Sequence, residues 1–504
     1  MQIRTAASFF LPLFAIACLV VCYLTGHAMR PGLINADAMY LPTLAEDLLR
    51  HGGRLSDWYL TPAPYLFPDG PMFLPAYLLG ADAYRQLIIF GAIQCAAVWA
   101  AAYVLGRALR VDAALPCAAF SLVLLAWLAL SGLDPFVLLL SAGFHFGSFI
   151  VGVLVVAAWL RFEEDGARRV LWTVCALAVV TTLCDSLLLV QIALPLACAG
   201  TLRALLEPAY LAGRRRRMLL PWVPALAALV GHLGYRVLVT NRMRYNPHVD
   251  LQHVGANLRD VGAIVRGLWD AMPLAVLGWF AFLAFALACT LRLLQRRDPF
   301  GLPRQLAWLL VFWLISLAGM MTVELLVYNL PVAARYFVVA ACWPVLLAPL
   351  MAAHLLRGRA PAPILLATAL CAIGIGTATA RQWQAHPIET SHYPAEVACL
   401  DGALAGTDLH DGIAQYWDAK TFQHFSRRNI VLAQYIYNLE ELRWINTGRI
   451  FKPAYDFALV GPRGDKPHYI PEDQLLAING EPAARVNCGA YTVLLYGRGK
   501  MKVR

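Results

Sequence analysis

Residues 7–26 read ASFFLPLFAIACLVVCYLTG, twenty residues without a single charge. At about 1.5 Å per residue, a helix of that length spans roughly 30 Å, the thickness of a bilayer's hydrocarbon core. The segment must be helical, because lipid offers no partner to an unpaired backbone group. The run is longer than the apolar centre of a secretory signal, and no small-residue cleavage site clearly follows it. It reads as a retained first helix whose start faces the cytoplasm.

Similar runs recur at roughly 85–107, 112–131, 136–160, 169–184, 187–206, 219–240, 273–294, 305–328, 333–355 and 361–380. With the first they make eleven expected spans. Of the 504 residues 60% are hydrophobic and 14% charged, whereas soluble domains are about half apolar and a quarter charged. The expected fold is a polytopic α-helical membrane protein. The net charge of +10 would suit a nucleic-acid binder, but the basic residues gather between spans, at 107–110, 161–169, 203–217, 292–304 and 357–359. That is the positive-inside pattern, so the charge marks topology and no nucleic acid is expected. An odd number of spans puts 27–84, 241–272 and the tail on the extracytoplasmic side.

The tail changes character. YDFALVG (455–461) and AYTVLLYG (490–497) alternate as strands do, and TFQHFSRRNIVLAQYI (421–436) reads as a helix. The expected division is a membrane bundle over 1–381 and an extracytoplasmic α/β domain over 382–504. Ten of the 12 cysteines lie in apolar spans, and only Cys399 and Cys488 lie in the tail. On an oxidising side these two would form a disulfide closing a loop of about 90 residues, with about 3–5 kcal/mol of stabilisation in the chain-entropy picture. No Cys/His zinc spacing occurs.

After the first span comes INADAMYLPTLAEDLL (34–49). Leu41, Leu44, Ala45, Leu48 and Leu49 recur at helical spacing, and Gly52-Gly53 is a stop. Pro42 suits a first turn, so a helix begins near Leu41 and leaves Asp37 on the turn before it. Glu46, Asp47 and Arg50 are expected toward water. The segment LSDWYLTPAPYLFPDGPMFLPAYLLG (55–80) follows, rich in rings and prolines that fit the headgroup zone. Asp37 and Asp69 lie among apolar neighbours beside spans, where a carboxylate needs a partner or a function.

Two further stretches continue the pattern: LSGLDPF (130–136), with Asp134 after the third span, and ARYF (334–337), which opens a late one. In this order the set resembles the GT-C glycosyltransferases. The nearest branch is that of the lipid A aminoarabinose transferase, the rhizobial lipopolysaccharide galacturonosyltransferases and the protein O-mannosyltransferases. The resemblance implies a helical bundle with a periplasmic domain in a bacterial inner membrane. It also implies a polyprenyl-phosphate sugar donor, and an envelope lipid, glycan or protein as acceptor. Asp37 matches the proposed catalytic base, Asp134 a further functional acid, and Arg335 with Tyr336 the Arg-Tyr motif. The chain departs from the family at FPDGP, where the aminoarabinose transferase has a Lys-Pro-Pro element, and at Asp37-Ala38, where many members have two acids.

In such a transfer a carboxylate takes the acceptor's proton while the donor's phosphate leaves from the other face, as in inverting glycosidases. Asp37 is the expected base. Arg335 is the expected phosphate ligand, since its fork fits phosphate oxygens; its other candidate role is pairing with Glu324. Asp69 and Asp134 would either join Asp37 around Mg²⁺ or Mn²⁺ or orient the acceptor. Asp134 would alternatively cap a helix ahead of Pro135. His145, in GFHFGS (143–148), is a substrate contact or a packed polar residue. Asp185, in TTLCDSLLLVQ (181–191), faces the same cavity or serves a turn. His248, Asp250 and His253 look like a loose metal set in a solvated loop. The competing functions are a surface-glycan polymerase or ligase, a lipid-linked glycan transporter or flippase, and a non-catalytic assembly partner. No internal repeat favours transport.

Overall fold

A computed structural model describes residues 2–26, 33–207, 219–241, 248–328, 332–356, 361–462 and 467–503. The apolar runs fold as helices, since only a helix pairs its backbone within one segment in lipid. In chain order the bundle and its loops contain α1 (Gln2–Leu24), α2 (Tyr40–Leu49), β1 (Trp58–Tyr59), α3 (Asp69–Leu79), α4 (Ala83–Ala108) and α5 (Ala114–Ala129). Then come α6 (Phe146–Asp165), α7 (Arg168–Cys184), α8 (Leu194–Leu206), α9 (Trp222–Leu238), β2 (His248–Val249), α10 (Val254–Ala271), α11 (Pro273–Leu294), α12 (Arg304–Leu326), β3 (Val327–Tyr328), α13 (Val338–Leu355) and α14 (Pro361–Ala385).

Eight helical segments among the described residues are long and apolar enough to cross a bilayer, against the eleven expected. The expected spans at 112–131, 169–184 and 219–240 are helices of 16, 17 and 17 residues. At about 1.5 Å per residue they fall short of a hydrocarbon core of about 30 Å. The expected span at 136–160 also starts late, at Phe146, because residues 137–140 form a 3₁₀ turn ahead of it.

The bundle has two chemically distinct ends. At one, Arg110 pairs with Glu164, Arg203 with Glu163 and Glu207, and Arg304 with Glu207. The basic connectors at 107–110, 161–169 and 292–304 meet there; residues 208–217 and 357–359 lie outside the described residues. The other end holds Asp37, Asp69, Asp134, Asp185 and Arg335. Here α1 finishes and the tail begins, with the Glu389 N–H donating to the Leu24 carbonyl at 2.8 Å. The three short helices also run from the basic end to this one. Between the ends, α11 and α14 leave Leu274, Leu277, Leu287, Leu366, Leu370 and Ile373 exposed, an apolar belt expected where lipid replaces water.

The tail continues with α15 (Ala395–Ala403), β4 (Asp411–Ala414), α16 (Tyr416–Phe425), β5 (Val431–Gln434), β6 (Asn446–Thr447), β7 (Phe457–Val460), α17 (Glu472–Asn479), β8 (Ala484–Cys488) and β9 (Tyr491–Leu495). Its sheet runs β5-β4-β7-β9-β8, with β4 parallel to both neighbours and the last two pairings antiparallel. Cys399 of α15 and Cys488 of β8 are bonded, their sulfurs 2.01 Å apart. The expected helix at 421–436 is corrected: a helix ends at Phe425 and a strand starts at Val431. Asp401 stops the helix by accepting from the Ser426 hydroxyl and from the Arg427 N–H at 2.8 Å.

The tail docks on the first loop. Trp58 and Tyr59 of β1 pair antiparallel with Thr447 and Asn446 of β6. Asp47 was expected in water, but it is 8% exposed, accepting from Trp58 Nε1 at 2.7 Å and from Arg449. Helix α2 therefore lies under the tail, with Thr43 bonded to His424 at 2.7 Å.

Candidate functional site

Asp37 stands on the turn ahead of α2, as its spacing from Pro42 requires. The Asn35 carboxamide accepts from the Ala38 N–H at 2.9 Å and closes that turn. One Asp37 oxygen accepts from the Tyr416 hydroxyl, and the other lies 3.7 Å from Arg335 Nη1. The Asp37 side chain is 21% exposed and that of Arg335 30%, so both can be reached by solvent. Arg335 pairs with Asp37, and among the described ion pairs none joins it to Glu324.

Arg335 belongs to the 3₁₀ turn Ala334–Phe337 that opens α13, and it lies over the Tyr336 ring at 5.3 Å. That turn is held from behind: Gln191 Nε2 donates to the Tyr336 carbonyl at 2.6 Å, and the Ser316 hydroxyl donates to the Gln191 carbonyl at 2.7 Å. Gln191 can reach because residues Leu189–Ala193 form a π-helical turn ahead of α8, a distortion often found at functional sites.

The tail supplies the other side. Tyr416 is buried, and burial with the Asp37 charge keeps its hydroxyl protonated far above the usual range, so it acts as a donor. Lys420, one turn further along α16, is 2% exposed and lies 5.0 Å over the Tyr416 ring. With the Gln434 amide turned to accept, its oxygen is 3.0 Å from Lys420 Nζ. Burial pushes the Lys420 amine down to about 7, while the Asp37 charge pulls it up. His468 stands beside Tyr416 and Trp417, its ring centroid 5.8 and 6.0 Å from theirs.

A stability prediction follows for Lys420. Between a folded value of about 7 and an ordinary value of 10.5 the unfolded chain holds a proton that the folded chain lacks. Stability therefore rises with pH across that window and is lowest below it. The apparent melting temperature of the detergent-solubilised chain is expected to rise from pH 7 to pH 9, and less steeply in Lys420→Met. Equal slopes in the two proteins would remove Lys420 as the cause.

The remaining acids divide into two groups. Asp134 is exposed on the rim; the mass around it raises its carboxyl, against the pull of Arg335. It precedes a 3₁₀ turn and caps no α-helix. Asp69 is 1% exposed and accepts from the Gly143 N–H at 3.2 Å. Its other oxygen packs on Gly147, where an added Cβ would come within 2.3 Å of it. Burial raises Asp69 to about 7, and the nearby Asp185 charge adds to the effect. Asp185 ends α7 and pairs with His145 at 2.8 Å. So Asp37, Arg335 and Tyr336 stand together with Asp134 in the field of Arg335, while Asp69, His145 and Asp185 form a second group that meets the first where the Tyr336 ring lies against His145.

Mg²⁺ or Mn²⁺ held by Asp37, Asp69 and Asp134 does not fit this arrangement. No group of three or more His, Cys, Asp or Glu side chains among the described residues is placed to hold a metal ion. Of His248, Asp250 and His253, His253 pairs with Asp250 at 2.9 Å, and Asp250 also lies in the field of His248. Tyr416, Lys420 and Gln191 carry no motif of their own, and 379 residues separate Tyr416 from Asp37. Tyr65 is visible in the sequence only as one ring in an aromatic loop. No protein-family model matches the chain, and no curated protein matches it.

Proposed function

We propose that the chain is a membrane glycosyltransferase of the GT-C kind. It moves a sugar from a polyprenyl-phosphate donor to a hydroxyl on an envelope lipid, glycan or protein, with inversion. The observation that carries this reading is Asp37, a partly open carboxylate bonded to Tyr416 at one oxygen and loosely paired with Arg335 at the other. Their separation of 3.7 Å is too long for a hydrogen bond. No hydrogen bond thus holds the guanidinium on Asp37, so it can turn to a donor phosphate and leave the second oxygen of Asp37 to an acceptor hydroxyl.

The sugar carbon then changes partners. Its bond to the phosphate oxygen breaks, with the electron pair going to the phosphate beside Arg335. The acceptor oxygen bonds to the opposite face and its proton goes to Asp37. Asp134, on the rim and within the field of Arg335, orients the incoming hydroxyl. In this reading the acidic end and the tail face the periplasm of a bacterial inner membrane. The basic residues gathered at the other end support that orientation, as does a disulfide in the tail.

The test compares polyprenyl-phosphate sugars and surface glycans, by mass spectrometry, in a deletion strain and its parent. The expected result is accumulation of one lipid-linked sugar and loss of one glycan substituent. Unchanged pools of both would reject the reading.

A further inference from the structure

Beside Tyr336 lies a chain of hydrogen bonds that the transfer as described does not use. His145 Nδ1 is 2.8 Å from Asp185 Oδ2, and His145 Nε2 is 3.1 Å from the Tyr65 hydroxyl. The His145 and Asp185 side chains are 8% and 2% exposed. The other Asp185 oxygen accepts from the Leu187 N–H at 3.0 Å, which fixes the carboxylate. The backbone is strained at two of these residues: φ is +66° at His145 and +50° at Tyr65, a region that side-chain-bearing residues rarely enter. Gly143, at φ +81°, packs against the Tyr65 ring, where an added Cβ would meet the ring at 3.2 Å. Such strain persists where the surroundings impose it, and it clusters at working sites.

The chain leads toward Tyr336 and Arg335. The Tyr336 ring lies tilted against His145, their centroids 5.4 Å apart, and the Arg335 charge acts on Tyr65 and Asp37 alike. The charged and titratable groups facing His145 are Asp185 and Tyr65 in hydrogen bonds, Tyr336 through its ring, and Asp69 through its field. Arg335 acts one residue further out, on Tyr65.

We infer that Asp185, His145 and Tyr65 form a proton relay that serves the departing phosphate. The inference rests on the transferase reading. With both ring nitrogens protonated, His145 donates to Asp185 and to the Tyr65 oxygen, and this leaves the Tyr65 proton free to point at a phosphate oxygen beside Arg335. As the bond from sugar to phosphate breaks, its electron pair goes to the phosphate. The Tyr65 proton follows it, and His145 passes its Nε2 proton to Tyr65. His145 is left neutral and still bonded to Asp185. The relay acts on the phosphate while Asp37 acts on the acceptor, so the two proton transfers lie on opposite sides of the sugar. Tyr65 touches the reacting group, and His145 and Asp185 position and recharge it.

The test uses the full chain in detergent and geranyl phosphate as the probe, with binding measured calorimetrically from pH 5.5 to 8.5. Wild type, Tyr65→Phe, His145→Gln and Arg335→Gln are compared. The probe's own second ionisation is common to all four, so differences among them isolate the protein. Wild type should bind more tightly as pH falls. Tyr65→Phe and His145→Gln should weaken binding about tenfold at low pH, as expected for a lost hydrogen bond to a charged group, and flatten the profile. Arg335→Gln should weaken binding at every pH and keep the slope. If the Tyr65 and His145 variants keep the wild-type affinity and slope while Arg335→Gln loses binding, the relay is wrong and the transferase reading stands. If wild type fails to bind, or Arg335→Gln binds as wild type does, both are overturned. Should His145→Gln not fold, Tyr65→Phe, which keeps the packed ring, decides the outcome.

Discussion

Asp37→Asn is expected to leave a folded chain that transfers sugar about 10²–10⁴-fold more slowly, the range by which a general base contributes. The substitution is nearly isosteric. The amide oxygen can still accept from Tyr416, so the contact between the tail and the first loop survives. What disappears is the capacity to take a proton at the oxygen now facing Arg335. Turnover is measured with purified protein and a polyprenyl-phosphate sugar, with melting temperature as the control for folding. Wild-type turnover in a folded Asp37→Asn chain would remove Asp37 from the chemistry, and with it the observation on which the functional reading stands.

The second large effect is expected at Arg335. Arg335→Gln removes the only Arg or Lys charge in contact with Asp37 among the described ion pairs, and with it the cation that the transferase reading assigns to the leaving phosphate. A loss of about 10²–10³-fold in kcat/KM is expected, the range seen when one preorganised donor to a developing anion is deleted. Arg335→Lys separates charge from shape: it restores a cation but not the two parallel donors of the guanidinium. Partial recovery by lysine is the expected outcome. Full activity in Arg335→Gln, measured with the same donor, would move the phosphate site elsewhere.

Much of the candidate site was legible as positions and little of it as contacts. Asp37 was placed on the turn before α2 by Pro42 and the apolar spacing behind it, because a helix's first turn is set locally. Asp185 was placed at the turn after α7 by the break in an apolar run. Its bond to His145 crosses from one helix to another, and no periodicity records that. Asp47 was misread for the same reason. Its helix shows an alternation of polar and apolar positions, yet the polar face lies against Arg449 and Trp58, supplied by the tail and by β1. A helical wheel separates two faces; it does not say whether water or another domain covers the polar one.

The sequence by itself determined that the chain is a helical membrane protein with strands at its C-terminal end. Long uncharged runs have one stable backbone form in lipid, and strand alternation in the tail has a period of two. Tertiary structure decided how many helices among the described residues are long enough to cross a bilayer, since length depends on where each helix stops. It also decided that α2 lies beneath the tail, that Asp69 stands apart from Asp37, and that Tyr416, Lys420, Tyr65 and Gln191 belong to the site. These depend on side chains hundreds of residues apart meeting at one end of the bundle. Such meetings arise from packing and buried hydrogen bonds, which leave no spacing in the chain to be read.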